Sequence, residues 1–486
     1  MSSMDWLACL LWVPALGVLG IVAARRHANL RESVTLVTAL ALFLSVIQLA
    51  ASGESPRWVL AEPLPGLELV LSPEPLGLMF GLIASGLWIV TSIYAFGYMR
   101  AKHESHQTRF YACFALSIGA AMGIAMSANL LTLFVFYEVL TLSTYPLVAH
   151  HGDDKARAGA RTYLRILLGT SIGLLLPAII WTYHLAAGGD FQPGGILAGR
   201  VDATTAGLLL ALYVLGVGKA AVMPVHRWLP AAMVAPTPVS ALLHAVAVVK
   251  AGVFVILKVV VYVFGMEFLA GVPFERALLW LAGFTVLAAS LVALRQDNLK
   301  RLLAYSTIGQ LSYVVMAALT LGATAGLAAA LHIAAHAVAK ITLFFTAGAI
   351  YVASGKTEVS QLDGIGRRMP VTMTAFAVAA LSMVGLPPTV GFISKWMILQ
   401  GALEADQLFV VTVLVISTGL NAAYFMPIVH RAFFREEQSV PKNHGEAPPP
   451  MVAALVVTAL LTLLGALAAD ALIAMQSPVM LAGRVE

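Results

Sequence analysis

Seven side chains able to give or take a proton lie in stretches of sequence that are otherwise apolar enough to cross a bilayer: Glu138, Lys219, Lys250, His332, His336, Lys340 and Lys395. A charged side chain at the bilayer centre costs roughly 2.5–3.5 kcal/mol on the lenient insertion scale. Such groups face protein or water and mark ion pathways. Glu138, in "FVFYEVLTLSTYP", is the one acid in this set, and it cannot neutralise four lysines. Some of those lysines must therefore be hydrated or release protons, which is what a relay needs. His332, His336 and Lys340 follow each other at i, i+4 and i+8 in "LHIAAHAVAKITLFF", so they share one helical face. His244 and Lys250 extend the row from the preceding apolar segment. No carboxylate or cysteine lies near the histidines in sequence, so no metal site is expected. The competing structural reading makes these groups buried ion pairs. It suits Lys258, and Arg165 lies about one turn from a segment end, where it can reach the headgroups.

The elements that position these groups are membrane helices. Hydrophobic residues make up 60% of the 486 and charged residues 11%, with a mean hydropathy of +0.89. About fourteen apolar runs of bilayer-crossing length tile the chain. The first, Met4 to Ala24, lacks a basic leader and a small-residue cleavage site and is expected to be a retained helix. Alternate loops are rich in Lys and Arg, while the opposite ones carry only Arg57, Arg200, Arg276 and Arg484. Positive loops stay in the cytoplasm, so both termini are expected outside. The net charge of +5 is then a signal of topology rather than of nucleic-acid binding.

Two segments, the seventh and twelfth, are interrupted. Lys219 precedes Pro224 and "RWLPAAMVAPTP", where Trp228 is expected at the membrane interface. Lys395 follows Pro387 and Pro388 in "GLPPTVGFIS". Proline removes a backbone donor and breaks a helix. In a membrane this is tolerated where protein or water satisfies the freed groups, and paired broken helices point to a transport site. The expected fold is an all-α polytopic membrane protein of about 14 transmembrane helices. Its fourth to eighth and ninth to thirteenth helices form two five-helix repeats, inverted because the number is odd. The expected divisions are 1–108, three N-terminal helices; 109–265, the first repeat; 266–435, the second repeat; and 436–486, a loop and last helix. Cys9 and Cys113 have no ligand spacing, no cysteine cluster suggests an iron–sulfur centre, and Gly364 and Gly366 make only a weak phosphate-loop match. No cofactor, redox centre or catalytic activity of its own is expected.

The stretches "HRWLPAAMVAPTPVSALLHAVAVVKAG", "YEVLTLSTYPLV", "LKRLLAYSTIGQLSY" and "LSMVGLPPTVGFISKW" resemble the proton-conducting antiporter-like subunits of complex I, membrane-bound hydrogenases and Mrp-type cation/proton antiporters. "LDGIGRRMPVTMTAF" and "HGEAPPPMVAAL" resemble most the Mrp-type D subunit, as does lysine at 395. The resemblance implies proton translocation coupled to a monovalent cation, Na⁺, in a bacterial inner membrane. The implied partners are A, B, C, E, F and G-like membrane subunits. The alternative it implies is a proton-pumping subunit of a complex I-like NADH:quinone oxidoreductase or a hydrogenase complex. By the same resemblance Glu138 pairs with Lys219, Lys250 is the central lysine of the eighth helix, His332, His336 and Lys340 form the hydrated row, and Lys395 ends the second half-channel.

Overall fold

The structure, a computed structural model, describes residues 1–437 and 444–481, apart from the side chains of Leu243 and His244. It is mostly helical. The chain opens with α1 (Ser3–Ala23) and α2 (Ala28–Ser52), which pack against each other with their outer faces exposed. A hairpin of β1 (Trp58–Leu64) and β2 (Leu67–Leu71) follows. This hairpin corrects the expectation of an all-α chain. The alternation in "WVLAEPLPGLELVL" is short, and Gly66 supplies the left-handed residue of its turn (φ 78°).

Next come α3 (Pro75–Ala101), α4 (Gln107–Ala125) and α5 (Leu130–Val148). Asn129 caps α5 by accepting a hydrogen bond from the Thr132 amide at 2.8 Å. Helix α6 (Asp154–Thr170) runs through a π-helical turn, Ser171–Leu175, into α7 (Leu176–Ala186). Helix α8 (Ala203–Gly216) stops at a 3₁₀ turn, Gly218–Ala220. The short helices α9 (Trp228–Ala231) and α10 (Thr237–Ala241) carry the chain back. Helix α11 (Val248–Lys258) lies between two π-helical turns, Leu242–Val246 and Val259–Phe264. Such turns recur at functional sites.

The second part contains α12 (Met266–Leu269), α13 (Glu275–Leu294), α14 (Leu299–Ala318) and the long α15 (Ala323–Ser354). After the short α16 (Ile365–Arg368), α17 (Pro370–Val384) and α18 (Val390–Glu404) are separated by a break. Helices α19 (Leu408–Phe434), α20 (Pro449–Leu464) and α21 (Ala469–Leu481) complete the described chain. Among the described residues nine helices are long and apolar enough to cross a bilayer, and α20 with α21, bent by 65°, could make a tenth.

Helix α15 is the hub. Of its apolar window 89% is buried, against 28% for α1. It packs on α3, α10, α11, α14, α17, α18 and α20, and so touches both halves of the chain. A helix buried all round is apolar all round; the titratable groups on α15 are the exceptions, and each has a partner.

Candidate functional site

The two proline-containing breaks each place a lysine against backbone. In the first, α8 ends three residues before Lys219, which is fully buried in the 3₁₀ turn. Its Nζ donates to Tyr137 O (2.9 Å) and Thr141 Oγ1 (2.6 Å) and lies 3.1 Å from the centre of the Tyr137 ring. Pro224 follows this turn, which abuts α11: a Cβ on Gly252 would lie 2.8 Å from Lys219 O. In the second break, Gly385 leaves α17 at φ 92°, and Pro387 and Pro388 hold the chain out of helix until Val390. Lys395, one turn into α18, reaches back and donates to Met383 O (2.8 Å) and Val384 O (3.0 Å). The ammonium thus satisfies carbonyls at the negative end of α17.

The direct Glu138–Lys219 ion pair expected from the sequence does not form. Among the described residues no acid lies within 4.0 Å of Lys219 Nζ, and both Glu138 carboxylate oxygens are buried without a hydrogen-bond partner. The Lys219 amine is taken up instead by the Tyr137 carbonyl and the Thr141 hydroxyl, which occupy its bonding positions.

Between the breaks lies a line of polar contacts. Lys250 Nζ, on α11, meets His336 Nδ1, on α15. The His336 and His332 rings stack with centroids 6.3 Å apart and planes within 8°. His332 is bound at both ring nitrogens, Nδ1 to Ser394 Oγ (2.9 Å) and Nε2 to Gln310 Oε1 (3.0 Å). Gln310 Nε2 donates to Met383 O (3.3 Å), the carbonyl that also accepts from Lys395. Lys340 starts a branch. It donates to Ser306 Oγ (2.9 Å), which accepts from Tyr424 OH (3.2 Å), and Tyr424 in turn meets Asn421 Oδ1. Asn421 Nδ2 returns to Met383 O (3.4 Å). The line and its branch therefore converge on one carbonyl beside Lys395.

Lys250, His332, His336 and Lys395 are thus brought together, Lys340 joins through α14 and α19, and Lys219 stands apart with no direct bond to Lys250 among the described residues. His244 lies in the π-helical turn before α11, and its side chain is outside the described residues. Trp228, expected at the membrane interface, is fully buried within the protein. Its indole donates to Gly218 O (2.9 Å) and its ring meets Tyr163 edge-on, which anchors the break beside Lys219. Lys258 takes the structural role: it pairs with Glu74 Oε1 at 2.7 Å and donates to Ser127 O. Arg165 is exposed, but it stands about three turns into α6, which continues into α7, rather than about one turn from a segment end. The uncharged members Ser306, Gln310, Ser394, Asn421, Tyr424 and Tyr313, whose ring centre lies 4.9 Å from Lys395 Nζ, were not singled out from the sequence. Ser306, Gln310 and Tyr313 recur at i, i+4 and i+7 in "LKRLLAYSTIGQLSY", a polar stripe that would have exposed them.

Residues 127–421 match the family described as NADH:quinone oxidoreductase/Mrp antiporter, TM. The chain belongs to this family. It is 34% identical over 404 residues to NADH-quinone oxidoreductase subunit N of Desulforudis audaxviator, covering 82% of this chain and 77% of the relative. It is 33% identical over 405 residues to a Na(+)/H(+) antiporter subunit of Alkalihalophilus pseudofirmus, covering 77% of this chain but 48% of that one. The chain thus spans about half the length of that antiporter relative. A chain of the Mrp complex from Dietzia shares the fold, with a TM-score of 0.87, 20% identity, and coverage of 99% of this chain and 97% of that one. A chain of the archaeal membrane-bound sulfane sulfur reductase does so at a TM-score of 0.84 and 23% identity, with coverage of 99% of this chain and 98% of that one. The fold is therefore that of the Mrp-like membrane subunits, in a multi-pass membrane protein.

Proposed function

We propose that this chain is the proton-translocating subunit of a multisubunit monovalent cation/H⁺ antiporter of the Mrp D type, with Na⁺ as the cation. The observation that carries this reading is the line from Lys250 through His336, His332 and Gln310 to the Met383 carbonyl and Lys395. It joins a helix of the first half to the broken helix of the second, through groups that each both hold and release protons or bridge those that do. The chain needs no redox centre of its own for this. In this scheme the bilayer is crossed about fourteen times. The scheme counts α6 with α7, α8 with its 3₁₀ turn, α10 with α11, α17 with α18, and α20 with α21 as single interrupted crossings. The first and second repeats occupy 109–265 and 266–435, inverted relative to each other, after the helices of 1–108 and before 436–486. Both termini face outward and the basic loops face the cytoplasm of a bacterial cell. Partner membrane subunits of the A, B, C, E, F and G kinds supply the rest.

A second reading is kept because subunit N of an NADH-quinone oxidoreductase matches over 82% of this chain. There the same relay is driven by a redox arm held in partner subunits. Isolation of the native complex decides between the two. The antiporter reading expects small membrane subunits and Na⁺-driven proton movement in proteoliposomes. Co-purification of NADH- or hydrogen-oxidising subunits, with proton movement only on electron transfer, would replace it with the second.

A further inference from the structure

A relay buried between two halves needs a route to water, and the structure holds a cavity that could supply one. It measures about 260 Å³ and lies where the two halves meet at the basic-loop end. That is room for several waters at about 30 Å³ each, and its wall offers them polar partners. Tyr98 and Glu104 contribute from the N-terminal helices and the loop after them, His151 and Thr237 from the first half, Lys300 from the start of α14, and Tyr351 and Lys356 from the end of α15 and just beyond it.

Its position relative to Lys340 is set by two helices. Ala347, in the wall, is seven residues from Lys340 on α15, hence on the same face and about 10 Å away along the axis. Leu299 and Lys300, also in the wall, begin α14, and the next turns of α14 provide Leu303 O (3.5 Å) and Ser306 Oγ (2.9 Å) to the Lys340 amine. On the face between Ala347 and Lys340 stand only Leu343 and Phe344, both fully buried. At the mouth, Glu104 Oε2 lies 3.5 Å from His151 Nε2, and the His151 side chain is 38% exposed. An acid and an imidazole that touch both solvent and cavity can exchange protons between the two.

We propose that this vestibule is the port by which protons from the basic-loop side reach Lys340, with Leu343 and Phe344 as the apolar turn that closes it. The proposal rests on the proton-translocating reading given above. Lys300 fixes one wall by donating to Ala235 O at 2.6 Å, so the port has a rigid side.

The test uses the whole complex with Cys9 and Cys113 replaced by alanine, in membrane vesicles of both orientations. Ala347→Cys and, at the exposed mouth, Thr357→Cys are each treated with a membrane-impermeant cationic methanethiosulfonate. Modification is read by mass, independently of flux. Expected is modification of both cysteines from the basic-loop side alone, with a severalfold loss of proton flux relative to the same variant unlabelled. A conducting parent in which Ala347→Cys stays unmodified, is modified only from the opposite side, or is modified without loss of flux overturns the port. If Ala347→Cys does not assemble, Thr357→Cys decides by the same criteria. A parent complex that moves no protons overturns the translocation reading itself, and the port with it.

Discussion

At the scale of single residues, the site depends on buried cations that are held by neutral partners. Lys219 rests on a backbone carbonyl, a hydroxyl and a ring, Lys395 on two carbonyls, and Lys340 on a serine. Among the described residues no acid makes a direct ion pair with Lys340 or Lys395, so either can lose its proton without stranding a paired counter-charge, whereas Lys219 has the buried Glu138 carboxylate in its surroundings. His332 is the residue through which the line must pass, because it bonds both Gln310 and Ser394. Either single change, His332→Gln or His336→Gln, is expected to reduce proton flux partially, since an amide still bridges. The double change is expected to remove most of it while the complex still assembles, as measured by dye-reported acidification in proteoliposomes. The Glu104 and His151 pair gives a separate test through stability. The His151 hydrogen bond holds the Glu104 carboxyl below its ordinary value, and Glu104 holds the His151 imidazole above its own. Neighbouring His150 is pushed down to about 4 by burial, so it is neutral at working pH. The Glu104 contribution is present above the ordinary carboxylate value and lost as pH falls through its lowered one. The His151 contribution is complete below the ordinary imidazole value and lost as pH rises through its raised one. Glu104→Gln is therefore expected to lower the melting temperature most between roughly pH 4.3 and 6.5, and little at pH 9. A difference at about pH 9 as large as that at about pH 5.5 would contradict the pairing.

At the scale of elements, the breaks are what turn membrane helices into a site. Where α17 stops, Gly385 takes a left-handed conformation and its vacant side-chain position lies 2.7 Å from Lys395 Cδ. Gly385→Ala should cost roughly 1–2 kcal/mol from backbone conformation alone. It should also push Lys395 off the Met383 and Val384 carbonyls. A lowered melting temperature together with lost flux is the expected outcome, and normal flux would mean that Lys395 need not sit there. Much of this was legible in the sequence, because proline and lysine are conspicuous in apolar runs; the second break falls at Pro387–Pro388, while the first begins after Gly216, ahead of Pro224. Other features were not. The direct Glu138 pairing gives way to Tyr137 O and Thr141 Oγ1, uncharged acceptors that residue charge does not report. Trp228 has the composition of an interfacial residue, yet Gly218 O and Tyr163 draw it inside. Gln310 and Asn421 carry no charge, so a search for charges passes over them although they join the two lysine branches at Met383 O.

At the scale of the whole molecule, α15 ties the halves together. It contributes both histidines and Lys340, and it packs on α11 from the first half and on α14, α17 and α18 from the second. That placement makes α15 the element through which the proposed line passes from the first half to the second. The central claim is that Lys250 and Lys395 belong to one conducting line. It is tested most directly by reconstituting the purified complex with Lys250→Met, imposing a Na⁺ gradient, and following internal pH, with subunit composition checked against the parent. Intact assembly is expected, with a loss of proton flux on the order of tenfold or more, equivalent to about 1.4 kcal/mol or more in the barrier. Wild-type flux from an intact Lys250→Met complex would contradict it.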